Sequence, residues 1–195
     1  ADKPHVLLNT SQGAIEIELE ADKAPISVKN FLAYVDSGYY NGTIFHRVIG
    51  NFMVQGGGYD QRYMERQTRP PVVHEGLEAL NKGGPRNTVG TIAMARMQDP
   101  NSAKAQFYIN VNNNDFLNYQ PIAAGDPVVV MKNGEPITLP RSRALVFAAG
   151  YTPFGKVTEG WETVEKIKGV ATGESGIYQN VPNKPITIVS IQVVK

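Results

Sequence analysis

Apolar and polar residues alternate first in two short runs near the start of the chain. His5–Thr10 is largely apolar, Ser11-Gln12-Gly13 interrupts it, and Ala14–Glu20 then alternates strictly. Ile15, Ile17 and Leu19 fall on one face of that second run, and Glu16, Glu18 and Glu20 on the other. A period of two with one charged face predicts a hairpin with one wet side. The period then changes. Val28, Phe31, Leu32 and Val35 recur at helical spacing after Pro25, and Gly38 follows. Proline in the first turn and glycine past the last fit an amphipathic helix over about 25–37. Short apolar runs dominate the rest: Ile44–Val48, Phe52–Gly56, Thr91–Ala95, Gln106–Asn110, Phe154–Val157 and Ile186–Val194. Trp161, Val164 and Ile167 share one face of a short second helix. About eight strands and two helices, not in alternating β–α–β order, predict a closed antiparallel barrel in a single domain over 1–195.

One segment does not suit that plan. Residues 118–150 hold Pro121, Pro127, Pro136 and Pro140, and within them Val128–Lys132 and Glu135–Leu139 flank Asn133-Gly134. Asn-Gly between apolar runs is a strong hairpin signal. A stretch of this length is expected to be an inserted, hairpin-like loop, either functional or mobile.

Composition narrows the chemistry. Lys+Arg is 19 against Asp+Glu 18, so net charge gives no reason to expect nucleic acid. No run approaches the length of a membrane span. The chain has no cysteine, which removes disulfide scaffolds, thiol catalysis and cysteine-based zinc sites. Its three histidines, His5, His46 and His74, form no HExxH pattern, so no metal site is expected. No Gly-x-Ser-x-Gly elbow occurs. Gly150–Lys156 has the spacing of a phosphate-binding loop, but Val157 stands where the hydroxyl belongs and Pro153 removes a donor amide. Gly56-Gly57-Gly58 reads as a strand end where another backbone comes close rather than a dinucleotide fingerprint. No cofactor is expected. The start Ala1-Asp2-Lys3, without Met, fits a mature exported protein or a trimmed chain.

Two stretches mix apolar side chains with placed polar groups. In Phe45–Gly57, alternation puts Phe45 and Arg47 on one face of a first strand, and Met53 and Gln55 on one face of a second. In Gln106–Asn110, Gln106 and Tyr108 share one face, and Phe107 and Ile109 the other. A fixed cation, amides and large apolar groups so close together suit a shallow apolar groove. The residues by themselves leave a ligand groove and a packed barrel both open.

FHRVIGNFMVQGGG, GTIAMAR, SAKAQFYINV and FGKV stand here in the order and spacing of the cyclophilins, and Lys23–Phe31 adds to the match. The chain therefore resembles the cyclophilin-type peptidyl-prolyl cis–trans isomerases from about His5 to Val194, interrupted at 118–150. His5–Leu8 and Tyr178–Pro182 look most like the periplasmic bacterial branch. The resemblance implies an eight-stranded antiparallel β-barrel capped by two α-helices, and rotation about X-Pro bonds in protein substrates. It implies Arg47 as the catalytic residue. It implies Phe52, Met53, Tyr108 and Leu117 around a proline pocket, with Phe116 and Tyr151 at groove positions. Gln55 and Gln106 would hold peptide backbone, Ala95 and Arg96 would border the groove, and His46 would be the groove-side neighbour of Arg47. Partners would be proline-containing peptides and unfolded proteins, bound by a monomer in the periplasm, or alternatively the cytoplasm. Four positions depart from the usual pattern: Tyr108 for Phe, Phe116 for Trp, Tyr151 for His, and Gly50-Asn51 for Pro-Gly. Loss of the indole donor at Phe116 implies weak cyclosporin binding. A proline-recognising binding module, with incidental turnover, is the alternative to an isomerase. For the insertion, a flap beside the groove and a surface decoration both remain open.

Overall fold

A computed structural model describes residues 3–194; the Ala1-Asp2 start, on which the expectation of export partly rests, lies outside them. Strands β1 (His5–Thr10) and β2 (Gly13–Leu19) form the expected hairpin, with Val6 opposite Ile17 and Leu8 opposite Ile15. These four side chains are fully buried, while the glutamates of β2 face outward among Lys3, His5 and Lys156. Further strands are β3 (Thr43–Ile49), β4 (Met53–Asp60), β5 (Thr91–Met94) and β6 (Phe107–Asn110). An inserted pair, β7 (Val128–Lys132) and β8 (Glu135–Leu139), precedes β9 (Pro153–Glu159). The chain ends with β10 (Thr172–Ser175), β11 (Tyr178–Pro182) and β12 (Ile188–Val194). Eight of these make one antiparallel sheet in the order β12-β1-β2-β9-β5-β6-β4-β3. The sheet curls until its edges meet: Gly42 N–H donates to Ile188 O at 2.8 Å, Phe45 N–H to Ile186 O at 3.0 Å, and Ile44 bridges Thr187. Pairing the edges satisfies backbone groups that an open sheet would leave exposed.

Helix α1 (Pro25–Asp36) lays Phe31 onto the barrel interior, edge-on to Phe107 at 5.7 Å and 5.2 Å from Phe154. Full burial of a side chain of that size stabilises by roughly 1.5–3 kcal/mol. Its first turn has no local acidic residue or side-chain cap. Instead the buried Glu75 carboxylate accepts from Ile26 N–H at 3.1 Å and Ser27 N–H at 2.6 Å, completing the helix start from a distant loop. The second expected helix, Trp161–Lys168, buries Val164 and Ile167 in the same core.

Two further helices are present: α2 (Gly76–Asn81) and α3 (Arg141–Ala148), so the helix at Trp161–Lys168 is α4. Six residues are too few for α2 to show a helical period, and α3 buries little more than Ala144 and Ala148. The hairpin of β10 and β11 is mostly polar, burying only Val181 and Pro182 of its residues, and also carries no alternation signal.

The insertion folds on itself. Asn133 and Gly134 both take positive φ, 52° and 81°, as a two-residue hairpin turn requires. Val128 and Val130 pack against Ala144 with Ile122, Ile137 and Leu139 around them, a small core separate from the barrel. The insertion also begins and ends at one point. Tyr151 N–H donates to Leu117 O at 2.8 Å, and Gln120 N–H to Ala148 O at 2.8 Å. The barrel therefore carries it without a break in its own ladder.

Candidate active site

The β3–β4 pair carries an irregularity that shapes the site. Phe45 pairs with Gly56 and Arg47 with Gln55, so His46 is an extra residue on β3, a bulge. Strict alternation predicts Phe45 and Arg47 on one face, and the bulge overturns this. Phe45 is fully buried in the barrel core, whereas Arg47 is exposed on the outer side. The same register then runs across four strands: Arg47 opposite Gln55, Gln55 opposite Tyr108, and Tyr108 opposite Ala93. Four side-chain positions thus line up across the sheet's outer face.

Phe52 and Met53 are neighbours, which alternation would send to opposite faces. Phe52 lies in the turn before β4, where its N–H donates to Ile49 O at 2.9 Å. Free of the strand's alternation, it joins Met53 beside the same hollow. That hollow has a volume of about 150 Å³ and is walled by Arg47, Phe52, Met53, Gln55, Ala95, Arg96, Tyr108, Leu117 and Tyr151. Met53, Ala93 and Tyr108 form its buried apolar base, a cluster distinct from the barrel core. No residue from 119 to 149 is part of its wall, among the described residues.

Its polar groups are held by one another. Arg47 Nη1 lies 3.5 Å from Gln55 Oε1, and the Arg47 guanidinium carbon is 6.0 Å from the Phe52 ring centre. Gln55 Nε2 donates to Gln106 Oε1 at 2.9 Å, which turns the Gln55 oxygen toward Arg47. Gln106 itself belongs to a neighbouring hollow of about 280 Å³, which shares Gln55, Ala95 and Arg96 with the first. Tyr59, Glu65 and Lys104 also line that second hollow.

Besides Gln106, two residues expected at the groove lie outside the smaller hollow. His46 is buried, packed edge-on to Tyr59 at 4.8 Å, and its Nδ1 has no partner among the described residues. Burial and the adjacent Arg47 push its pKa down to about 4, so it is neutral at pH 7. Phe116 stands on the rim, 74% exposed, with its ring 5.6 Å from that of Phe52.

One residue that the sequence did not mark ties the walls together. Asn87, fully buried, bonds through its side chain to Tyr108, Asn110, Asn118 and the Tyr151 carbonyl. The Tyr108 hydroxyl is pushed well above its usual range by burial, so it serves Asn87 as a donor. Arg96 stacks on the Tyr151 ring at 4.4 Å and donates to the Gly150 carbonyl. An asparagine in a Gly- and Pro-containing loop looks like any turn residue, so only the fold reveals this one.

Comparison with known proteins agrees with this architecture. A family profile described as "Cyclophilin type peptidyl-prolyl cis-trans isomerase/CLD" matches residues 5–193. Peptidyl-prolyl cis-trans isomerase A of Dickeya dadantii is 46% identical over 191 residues, covering 98% of this chain and 85% of that protein. Peptidyl-prolyl cis-trans isomerase B of Escherichia coli is 44% identical over 188 residues, covering 96% and 98% respectively. The crystal structure of a cyclophilin-type isomerase from Cryptosporidium parvum superposes with a TM-score of 0.65 at 23% identity, covering 100% of this chain and 99% of that one. The same Cryptosporidium parvum isomerase, crystallised in the presence of the dipeptide Ala-Pro, gives 0.63 at 23% identity, covering 98% and 99%. With a profile match along nearly its whole length and relatives well above 40% identity, the chain belongs to the cyclophilin-type peptidyl-prolyl cis–trans isomerases, enzymes that rotate X-Pro bonds and assist protein folding.

Proposed function

We propose that isomerisation takes place in the smaller hollow, with Arg47 as the catalytic residue. The observation that carries this reading is an exposed permanent cation at the mouth of a hollow with an apolar base: Arg47 beside Gln55 and Phe52, above Met53 and Tyr108. Amide resonance sets a barrier of about 18–20 kcal/mol to rotation about the X-Pro bond. No bond breaks, so the site has only to favour the twisted amide over both planar forms. Twisting makes the proline nitrogen pyramidal and returns its lone pair. An N–H aimed at that nitrogen stabilises the twisted form alone, and a guanidinium is always protonated and offers several such donors. Phe52, Met53, Tyr108 and Leu117 hold the pyrrolidine ring while the preceding carbonyl turns. Gln55, oriented by Gln106, binds backbone beside the proline, and Ala95 and Arg96 border the path of the chain into the second hollow.

Arg47→Ala tests this reading. NMR exchange or a protease-coupled assay should show kcat/KM lowered by on the order of 100-fold, about 3 kcal/mol, in a protein that still folds. Near-normal activity would remove Arg47 from the mechanism. The same variant separates isomerase from binding module, since a module would keep its cellular effect without turnover.

The insertion acts, in this reading, as a flap that meets substrate outside the proline pocket. Its roots, Asn118 and Gly150, bond to Asn87 and Arg96 at the pocket wall, and its outer faces expose Val129, Met131, Leu145 and Phe147. The chain works as a monomer on unfolded proteins. Phe116 offers no N–H at the rim, so cyclosporin binds weakly. A periplasmic setting accords with the cysteine-free composition; recovery in the cytoplasmic fraction would correct it.

A further inference from the structure

Behind the Tyr151 wall lies a titratable group with no part in the mechanism above. His74 sits in the loop between β4 and α2, half-buried, and its own N–H donates to Asn101 Oδ1 at 2.8 Å. Both of its ring nitrogens are engaged. Nε2 is 3.0 Å from the Gly150 carbonyl oxygen, and Nδ1 is 3.2 Å from Gly76 N. A carbonyl can only accept and a backbone N–H can only donate. The ring is therefore neutral, with its proton on Nε2. Burial and the nearby Arg96 lower its pKa, outweighing the Gly150 bond, Glu78 and Glu75, which agrees with that state. The ring also needs Gly76, because a Cβ there would collide with His74 Cε1.

Three N–H groups converge on the Gly150 oxygen: His74 Nε2, Arg96 Nε at 3.1 Å and Arg96 Nη2 at 2.6 Å. They come from two separate loops. Gly150 has φ +64°, and a Cβ on it would lie 2.6 Å from Leu117 O, so the peptide is pressed against the start of the insertion. The next residue is Tyr151. Its ring lies against the Arg96 guanidinium and edge-on to Tyr108 at 5.8 Å, forming one wall of the hollow.

We propose that His74 is a positioning residue for the isomerase reaction: through the Gly150 carbonyl it holds the Tyr151 ring in the wall of the proline hollow. The inference rests on reading that hollow as the proline site. Without His74 the Gly150 oxygen is held by Arg96 alone, whose Nη1 is also tied to the Met97 carbonyl at 2.9 Å, while the N–H of the same peptide stays on Leu117 O. His74 supplies the second hold on that oxygen, at the end of the insertion, and so ties the Tyr151 wall of the hollow to the loop before α2.

The test uses His74→Ala, His74→Gln and Gly76→Ala in the full chain, with a proline tetrapeptide as substrate. His74→Ala should raise KM about five-fold with kcat within about two-fold, and shift the Tyr151 ring resonances. His74→Gln, which keeps an N–H donor at the same reach, should restore both. Gly76→Ala, which pushes the ring aside, should reproduce the alanine result should His74→Ala fail to fold. Nitrogen NMR of the unmodified protein at pH 7 should find His74 as the Nε2–H tautomer. An Nδ1–H tautomer or an imidazolium at pH 7 would overturn the proposal, as would an unchanged KM in folded variants or a glutamine that folds without rescue. If instead Arg47→Ala keeps its activity, the assignment of the hollow fails; if Arg47→Ala is inactive and the His74 variants are normal, only the positioning role fails.

Discussion

The Tyr108 hydroxyl donates to Oδ1 of the fully buried Asn87 at 2.7 Å, behind the wall of the smaller hollow. A tyrosine in place of the phenylalanine that the family resemblance implies is expected to add a hydroxyl to the pocket wall. The buried asparagine takes up that group, and the ring presents only its apolar surface. The same Asn87 side chain donates to Asn118 Oδ1 and to the Tyr151 carbonyl, so one residue joins the base of the hollow to both roots of the insertion.

Tyr108→Phe should therefore leave catalysis nearly intact and cost stability. Removing one buried hydrogen bond costs about 1 kcal/mol, and Asn87 Oδ1 keeps Asn110 as a partner. Thermal unfolding should fall by about 3 °C, while kcat/KM stays within about two-fold. A large loss of activity would mean that the hydroxyl reaches the substrate.

Glu75 should be worth more than its place in a loop implies. Glu75→Ala removes the acceptor of the Ile26 and Ser27 N–H groups, of which the second is buried. The expected cost is about 2–3 kcal/mol in urea unfolding. Glu75→Gln keeps one carbonyl oxygen and should recover part of it. Equal stability of Glu75→Ala and the parent would show that water completes the helix start.

Acid should destabilise the fold through its buried imidazole. His46 binds a proton only near pH 4 when folded and near 6.5 when unfolded. Between those values the unfolded state holds more protons, so stability falls as pH drops through that window, by up to about 3 kcal/mol. His74, lowered in the same direction, adds to the loss. In His46→Phe the slope of stability against pH between 6.5 and 4 should be shallower; an unaltered slope would assign it to other groups.

Excising 121–148 and bridging with Gly-Ser should leave a folded barrel, because Leu117 and Tyr151 already meet through a backbone hydrogen bond. Turnover of a tetrapeptide should stay within about two-fold, since the smaller hollow takes no wall residue from the excised part. Refolding of a long, proline-limited protein should slow if the insertion is a flap. Equal rates on both substrates would make it a surface decoration.

Periodicity was enough to place the β1–β2 hairpin, α1, α4 and the six later strands to within a few residues, because each buries one face against the barrel and burial writes its period into the chain. The Asn133-Gly134 turn was legible for a similar reason: few residues accept positive φ. The motif strings likewise singled out Arg47, Gln55, Gln106 and Tyr108, which the fold brings together around two adjoining hollows. What periodicity could not reach was anything set by contact between distant segments. The His46 bulge separates Arg47 from Phe45, and only the paired strand β4 defines it. The turn at Gly50-Asn51 frees Phe52 to join Met53, and only its bond to Ile49 shows it. Asn87, His74 and Glu75 lie in loops without period, and each acts on a residue at least twenty positions away. Local sequence determined which faces are apolar and therefore which fold is reached; tertiary structure decided which polar groups meet, because hydrogen-bond partners are chosen by proximity in space and leave no repeat along the chain.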